Sequence, residues 1–128
     1  MATDLNEIVI HTATDLERMW QLVMGREGPG RRSLWMVLLD EEGRPRPVVV
    51  PIDDIPVVPG SGATGLADVL SGLRELGDPV LLLSRPGPDG MTEADRQWGR
   101  ALAPLTRWPV HLYTGAGVRI LAPDDLVP

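Results

Sequence analysis

Two spacings of apolar residues divide this chain into strands and helices. Residues 80–83 form an unbroken apolar run stopped by Ser84 and Pro86, too short for a helix, which predicts a central buried strand. Residues 34–39 and 47–52 are two further apolar runs. The polar, glycine-containing stretch Asp40-Glu41-Glu42-Gly43-Arg44 joins them, which predicts a hairpin. Residues 110–113 and 118–121 repeat that arrangement around Gly115 and Gly117, and residues 7–11 read as a short edge strand. Helical spacing occurs three times. Leu16, Met19, Trp20 and Val23 follow a capping box read at Thr14 to Glu17 and stop near Gly25. Leu66, Val69, Leu70 and Leu73 close at Gly77, with Pro79 beyond. Asp95, Trp98 and Leu102 follow Thr92, which reads as an N-cap with Asp95 reaching back to it, and Pro104 ends that pattern. The order is strand, helix, hairpin, helix, strand, helix, hairpin. It predicts an α/β fold, a mixed β-sheet flanked by helices.

Length confines this pattern to one domain over residues 1–128, with residues 1–6 and 122–128 expected to be loosely ordered ends. Twelve basic residues, all arginine, stand against eighteen acidic ones. The resulting net charge of -6 disfavours a nucleic-acid partner, because the chain would repel a phosphate backbone. Absence of cysteine excludes disulfides, thiolate metal sites and cysteine nucleophiles. The start carries no basic, apolar leader, and no apolar run approaches the roughly 20 residues of a membrane span, so a cytoplasmic protein with no membrane partner is expected.

Most candidate chemistry reads as structure. The segment 25–33 has glycines at a phosphate-loop spacing, but Arg31 stands where lysine belongs and the segment follows a helix, so it reads as a linker. Asp40, Glu41 and Glu42 sit at a turn tip, while Asp53-Asp54 and Asp124-Asp125 are adjacent pairs rather than facing ones. His11 is near the amino terminus, and His111 alternates with Val110 and Leu112 on a strand, where a satisfied or solvent-facing ring is expected. Ser84 lacks a nucleophile elbow. Gly60-Ser-Gly62-Ala-Thr-Gly65 matches a dinucleotide fingerprint and opens a helix, giving an alternative reading in which Gly60, Gly62, Gly65 and Arg85 bind a nucleotide or dinucleotide. Pro51, Pro56 and Pro59 interrupt the strand that should precede it.

The element order, with LWMVLLDEEGRPRPVVVPI as the leading strand pair, VLLLS as the central strand, a Pro/Gly loop and TEAD opening a helix, resembles the JAMM/MPN metal-dependent hydrolase family, in its bacterial RadC-type branch. The resemblance covers roughly residues 34–121 and implies a JAMM/cytidine-deaminase-like layout. That family carries an H-x-H-P motif after its central strand, S-x-x-D at the next helix and an upstream Glu. Aligning Pro86 with the motif proline puts Leu83 and Arg85 where zinc-binding histidines would stand, with Ser84 between them. Thr92 and Asp95 match S-x-x-D, and the upstream Glu falls near Arg32 or Ser33. One metal ligand in three survives, too few for zinc.

The resemblance therefore implies a vestigial site of Leu83, Ser84, Arg85, Thr92 and Asp95, with no catalytic residues, metal or cofactor. The expected role is a non-catalytic interaction or scaffold module whose partner is another protein or a second copy of the chain. A residual hydrolase with a non-standard site around Asp95 is the other alternative. Arg85 and Asp95 are further expected to form an ion pair, the arginine satisfying the carboxylate that zinc would otherwise hold.

Overall fold

A computed structural model describes residues 8–25, 30–60 and 62–121. The expected ends 1–6 and 122–128 lie outside these, as do residues 26–29 of the arginine- and glycine-containing segment after residue 25. The elements run α1 (Ala13–Met24), β1 (Ser33–Leu39), β2 (Pro45–Asp53), α2 (Gly62–Leu73), β3 (Asp78–Ser84), α3 (Glu93–Leu102), a 3-10 turn (Ala103–Leu105), β4 (His111–Thr114) and β5 (Gly117–Ile120). Among the described residues, five strands make one mixed sheet in the order β2-β1-β3-β4-β5. β1 pairs antiparallel with β2 and β3, β3 pairs parallel with β4, and β4 pairs antiparallel with β5. The predicted mixed α/β architecture is therefore the one found.

Each face of the sheet has its own core because side chains alternate along a strand. Leu34, Met36, Leu81, Leu83, Val110 and Leu112 point to one side and pack with Leu70 of α2 and Trp98 and Leu102 of α3. Val37, Leu39, Val80, Leu82 and Tyr113 point to the other side and pack under Leu16, Met19 and Trp20 of α1. β3 is covered on both faces, which is why its sequence reads as a continuous apolar run. β2, with Pro45, Pro47 and Pro51, lies at the sheet edge, where a residue without an N–H does not interrupt a ladder on both sides.

Two local expectations differ. Residues 8–10 form no strand; Ile10 instead donates a backbone hydrogen bond to the Gly43 carbonyl at the hairpin tip, 2.8 Å away. A single attachment replaces the ladder that strand geometry requires. The N-cap of α1 is Thr12 rather than Thr14. The Thr12 hydroxyl accepts from the Asp15 amide at 3.2 Å, and the Asp15 carboxylate accepts from the Thr12 and His11 amides at 3.2 and 3.0 Å. Those bonds hold the Asp15 carboxyl below its ordinary range. Asp15 at N3 closes the box as a glutamate there would, so the helix begins one half-turn earlier than the Thr-x-x-Glu spacing suggests.

Gly77 makes the turn from α2 into β3 under tight steric limits. A Cβ there would lie 2.6 Å from the Leu39 carbonyl oxygen and 3.1 Å from Leu38 Cβ. Gly77→Ala is expected to destabilise the fold by about 1–3 kcal/mol through forced displacement of the β1 end, read as a lowered midpoint in urea with an unchanged m-value.

Candidate functional site

The carboxyl end of β3, the loop 85–92 and the start of α3 form the candidate site. Leu83 on β3 and Arg85, the first residue past its end, are two apart and share the face toward α3, whereas Ser84 faces α1. Ser84 accepts a hydrogen bond from Trp35 Nε1 at 3.0 Å and serves packing on that side. Leu83 is fully buried in the apolar core.

Thr92 caps α3 as the sequence predicts. Its hydroxyl accepts from the Asp95 amide at 3.2 Å, and Asp95 Oδ2 accepts from the Thr92 amide at 2.9 Å. The capping box turns the Asp95 carboxylate back toward the strand end, where Arg85 waits. Arg85 Nε donates to Asp95 Oδ1 and Nη2 to Oδ2, both at 2.7 Å. Arg85 is 1 % exposed and Asp95 not at all. The expected ion pair is thus present, bidentate and buried.

Arg85 does more than pair with one carboxylate. Nη1 also donates to the carbonyls of Pro86 at 3.3 Å and Pro88 at 2.5 Å, and Nη2 to that of Gly90 at 2.8 Å. A guanidinium has five N–H groups, and here they meet five acceptors. Pro86 and Pro88 have no amide hydrogen of their own, so the loop cannot fold back on itself through those donors, and the arginine gathers its carbonyls instead. Burial opposes ionisation of Asp95, but the hydrogen bonds from Arg85 and Thr92, with the charge of Arg85, outweigh it and hold the carboxyl below its ordinary value of 3.8.

Of the other singled-out residues, Ser33 lies on the α1 face, donating to Asp53 Oδ1 at 2.7 Å, so it does not join this site. Arg32 precedes β1 where the Ser33–Ser84 pairing would next bring it across from Arg85, and its Nη1 is buried without a hydrogen-bond partner. No acid from this position reaches Asp95. The residues present do not fit zinc: Leu83 has no ligand atom, and Arg85 is a cation already saturated with acceptors. Among the described residues, no three His, Asp or Glu side chains converge to hold a metal ion.

The glycine-rich alternative gains no phosphate-binding arginine, because Arg85 is spent inside the fold. Gly60 has φ of 48°, Gly62 opens α2, and Gly65 lies exposed in its first turn. β2 ends at Asp53, and residues 54–60 separate it from the helix, whereas a dinucleotide fingerprint joins strand to helix by a tight turn. A cleft of about 330 Å³ lies at the opposite end of the sheet, lined by Arg74, Asp78, Leu105, Thr106 and Arg107. Arg107 pairs there with Asp78 at 2.8 Å and lies 5.4 Å over the Trp108 ring. That cleft lies where the chain leaves α2 and the 3-10 turn after α3.

Sequence reasoning missed two features. Trp98 Nε1 donates to both the Pro56 and Val57 carbonyls at 3.1 Å, tying the loop after β2 to α3. His111 is neither solvent-facing nor satisfied: it is fully buried on the α1 face, and both ring nitrogens lack a hydrogen-bond partner. Alternation assigned its face correctly, but nothing local signalled that α1 would cover it.

The sequence matches no protein-family model, and no curated protein is significantly similar to it. Among the described residues no helix is long and apolar enough to cross a membrane.

Proposed function

We propose that the chain is a non-catalytic interaction or scaffold domain, a degenerate relative of the JAMM/MPN fold acting in the cytoplasm on a protein partner or a second copy of itself. The observation that carries this reading is Arg85. At the strand end where the resembled family holds its metal, a permanent cation occupies the space and uses all five donors on Asp95 and three loop carbonyls. A catalytic zinc needs three protein ligands and an open position for water, and this arrangement offers neither. A general acid or base must exchange protons near the working pH, whereas Asp95 is locked in its ionised form by its partner. What remains is a rigid loop on a rigid frame, suited to presenting a surface.

Isothermal titration calorimetry with zinc is expected to show no stoichiometric site. Submicromolar binding of one equivalent that disappears in Asp95→Asn would overturn the reading. So would zinc-dependent peptide or isopeptide hydrolysis lost in the same variant.

A further inference from the structure

His111 lies in the row Leu82–His111–Ile120 across β3, β4 and β5, on the face that α1 covers. It is fully buried, and no protein group closes a hydrogen bond of ordinary geometry on either nitrogen. Two further polar groups associated with that layer, Trp20 Nε1 on α1 and Trp108 Nε1 ahead of β4, are also buried and unpartnered. The layer beneath α1 therefore accommodates a neutral imidazole and offers an imidazolium little beyond the Pro109 carbonyl, which offsets only part of the cost of burial.

The charged groups around it are engaged elsewhere or turned outward. On α1, Asp15 closes the helix cap, Glu17 is half-buried and Arg18 is exposed. On β5, Arg119 is exposed, and ahead of β4, Arg107 is exposed and paired with Asp78. β3 contributes only Val80 and Leu82 to this face, and Tyr113 is the other titratable group that β4 presents there. No charge enters the titration of His111, which burial pushes down from 6.5 to about 4, with the Pro109 carbonyl offsetting part of the effect.

α1 is held to the sheet by packing with little polar support. Among the described residues, one backbone hydrogen bond, Ile10 to Gly43, joins the segment 8–25 to the sheet, and no ion pair or side-chain hydrogen bond is seen between them. Its attachment is apolar packing through Leu16, Met19 and Trp20. By contrast β3 and α3 are joined by the loop that Arg85 gathers.

We propose that α1 is an acid-released strap: a proton taken up by His111 detaches α1 from the sheet, while β3, α2 and α3 stay folded, and uncovers the apolar face of Val37, Leu82 and Tyr113. The sign follows from linkage. Above pH 6.5 the imidazole is neutral whether α1 is docked or released, and docking is at full strength. Between 6.5 and about 4 the released form takes a proton that the docked form refuses, so docking weakens as the pH falls, and below about 4 the effect levels off. Across that window the released-to-docked ratio rises on the order of a hundredfold. Asp15 and Asp95 are both held below the ordinary carboxylate value, Asp15 by the His11 and Thr12 amides and Asp95 by Arg85 and Thr92.

Hydrogen–deuterium exchange read by mass spectrometry on the full chain at pH 7, 5.5 and 4, corrected for intrinsic exchange, tests this. Expected is loss of protection in residues 13–24 on the order of a hundredfold between pH 7 and pH 4, with residues 78–84 and 93–102 keeping theirs. His111→Leu, or His111→Gln should the leucine variant not fold, is expected to hold α1 protected down to pH 4, and His11→Asn to leave the response intact. Unchanged α1 protection in the parent chain, simultaneous loss across α1 and the sheet, a response that survives both His111 variants, or one abolished by His11→Asn would each overturn the proposal.

Discussion

Arg85→Ala and Asp95→Ala are each expected to lower stability by about 3–5 kcal/mol, the largest effect of any charged substitution in this chain, measured as a fall in the urea midpoint. The reason is the burial of both partners. Removing the guanidinium strands an ionised carboxylate in the core and releases the Pro86, Pro88 and Gly90 carbonyls together; removing the carboxylate strands a guanidinium and opens the capping box of α3. The double variant is expected to lose less than the sum of the singles, because the second change removes the group that the first left uncompensated. Additive losses would show that the residues do not interact. Acid should act through the same pair. The folded carboxyl ionises below its ordinary value of 3.8, so its contribution is complete above that value and is lost as pH falls through the lower folded value. This acid limb should be missing in the double variant.

Trp98→Ala is the second large effect, expected at about 3–5 kcal/mol in the same measurement. Trp98 is 3 % exposed and stands between α3 and both sheet strands that carry Leu34 and Leu83. Its truncation opens a cavity and leaves the Pro56 and Val57 carbonyls without their donor. Trp98→Phe separates the two contributions: the ring keeps most of the packing but has no N–H, so a loss of about 1–2 kcal/mol is expected. A phenylalanine variant as unstable as the alanine one would assign the whole effect to the hydrogen bonds. Full stability in Trp98→Phe would assign it to packing alone.

The site is unusual in how much of it a strand end and a helix cap specify locally. Arg85 follows an apolar run that ends a strand, Thr92 and Asp95 sit at capping-box spacing, and ten residues separate cation from carboxylate. A strand end and a first helical turn joined by so short a loop must lie close together, so the pair is legible without knowing the rest of the fold. The three carbonyls on the remaining N–H groups were not legible. They depend on the path of residues 86–90, which the arginine itself determines.

The sequence by itself determined the elements whose causes are local: the buried run of β3, the hairpin turns, the helical stripe of α1, the cap of α3 and the mixed character of the sheet. It also determined that zinc has no ligand set at residues 83–85. Tertiary structure alone decided what depends on covering. Residues 8–10 have the composition of a strand, yet among the described residues their backbone meets the sheet only at the hairpin tip, where Ile10 donates to the Gly43 carbonyl, and one such bond makes no ladder. Alternation told which way His111 points but not what lies there, since the strand pattern is the same whether a face meets water or a helix. Only the docking of α1, through contacts between residues roughly a hundred positions apart in the chain, turned an ordinary strand histidine into a buried imidazole without a partner.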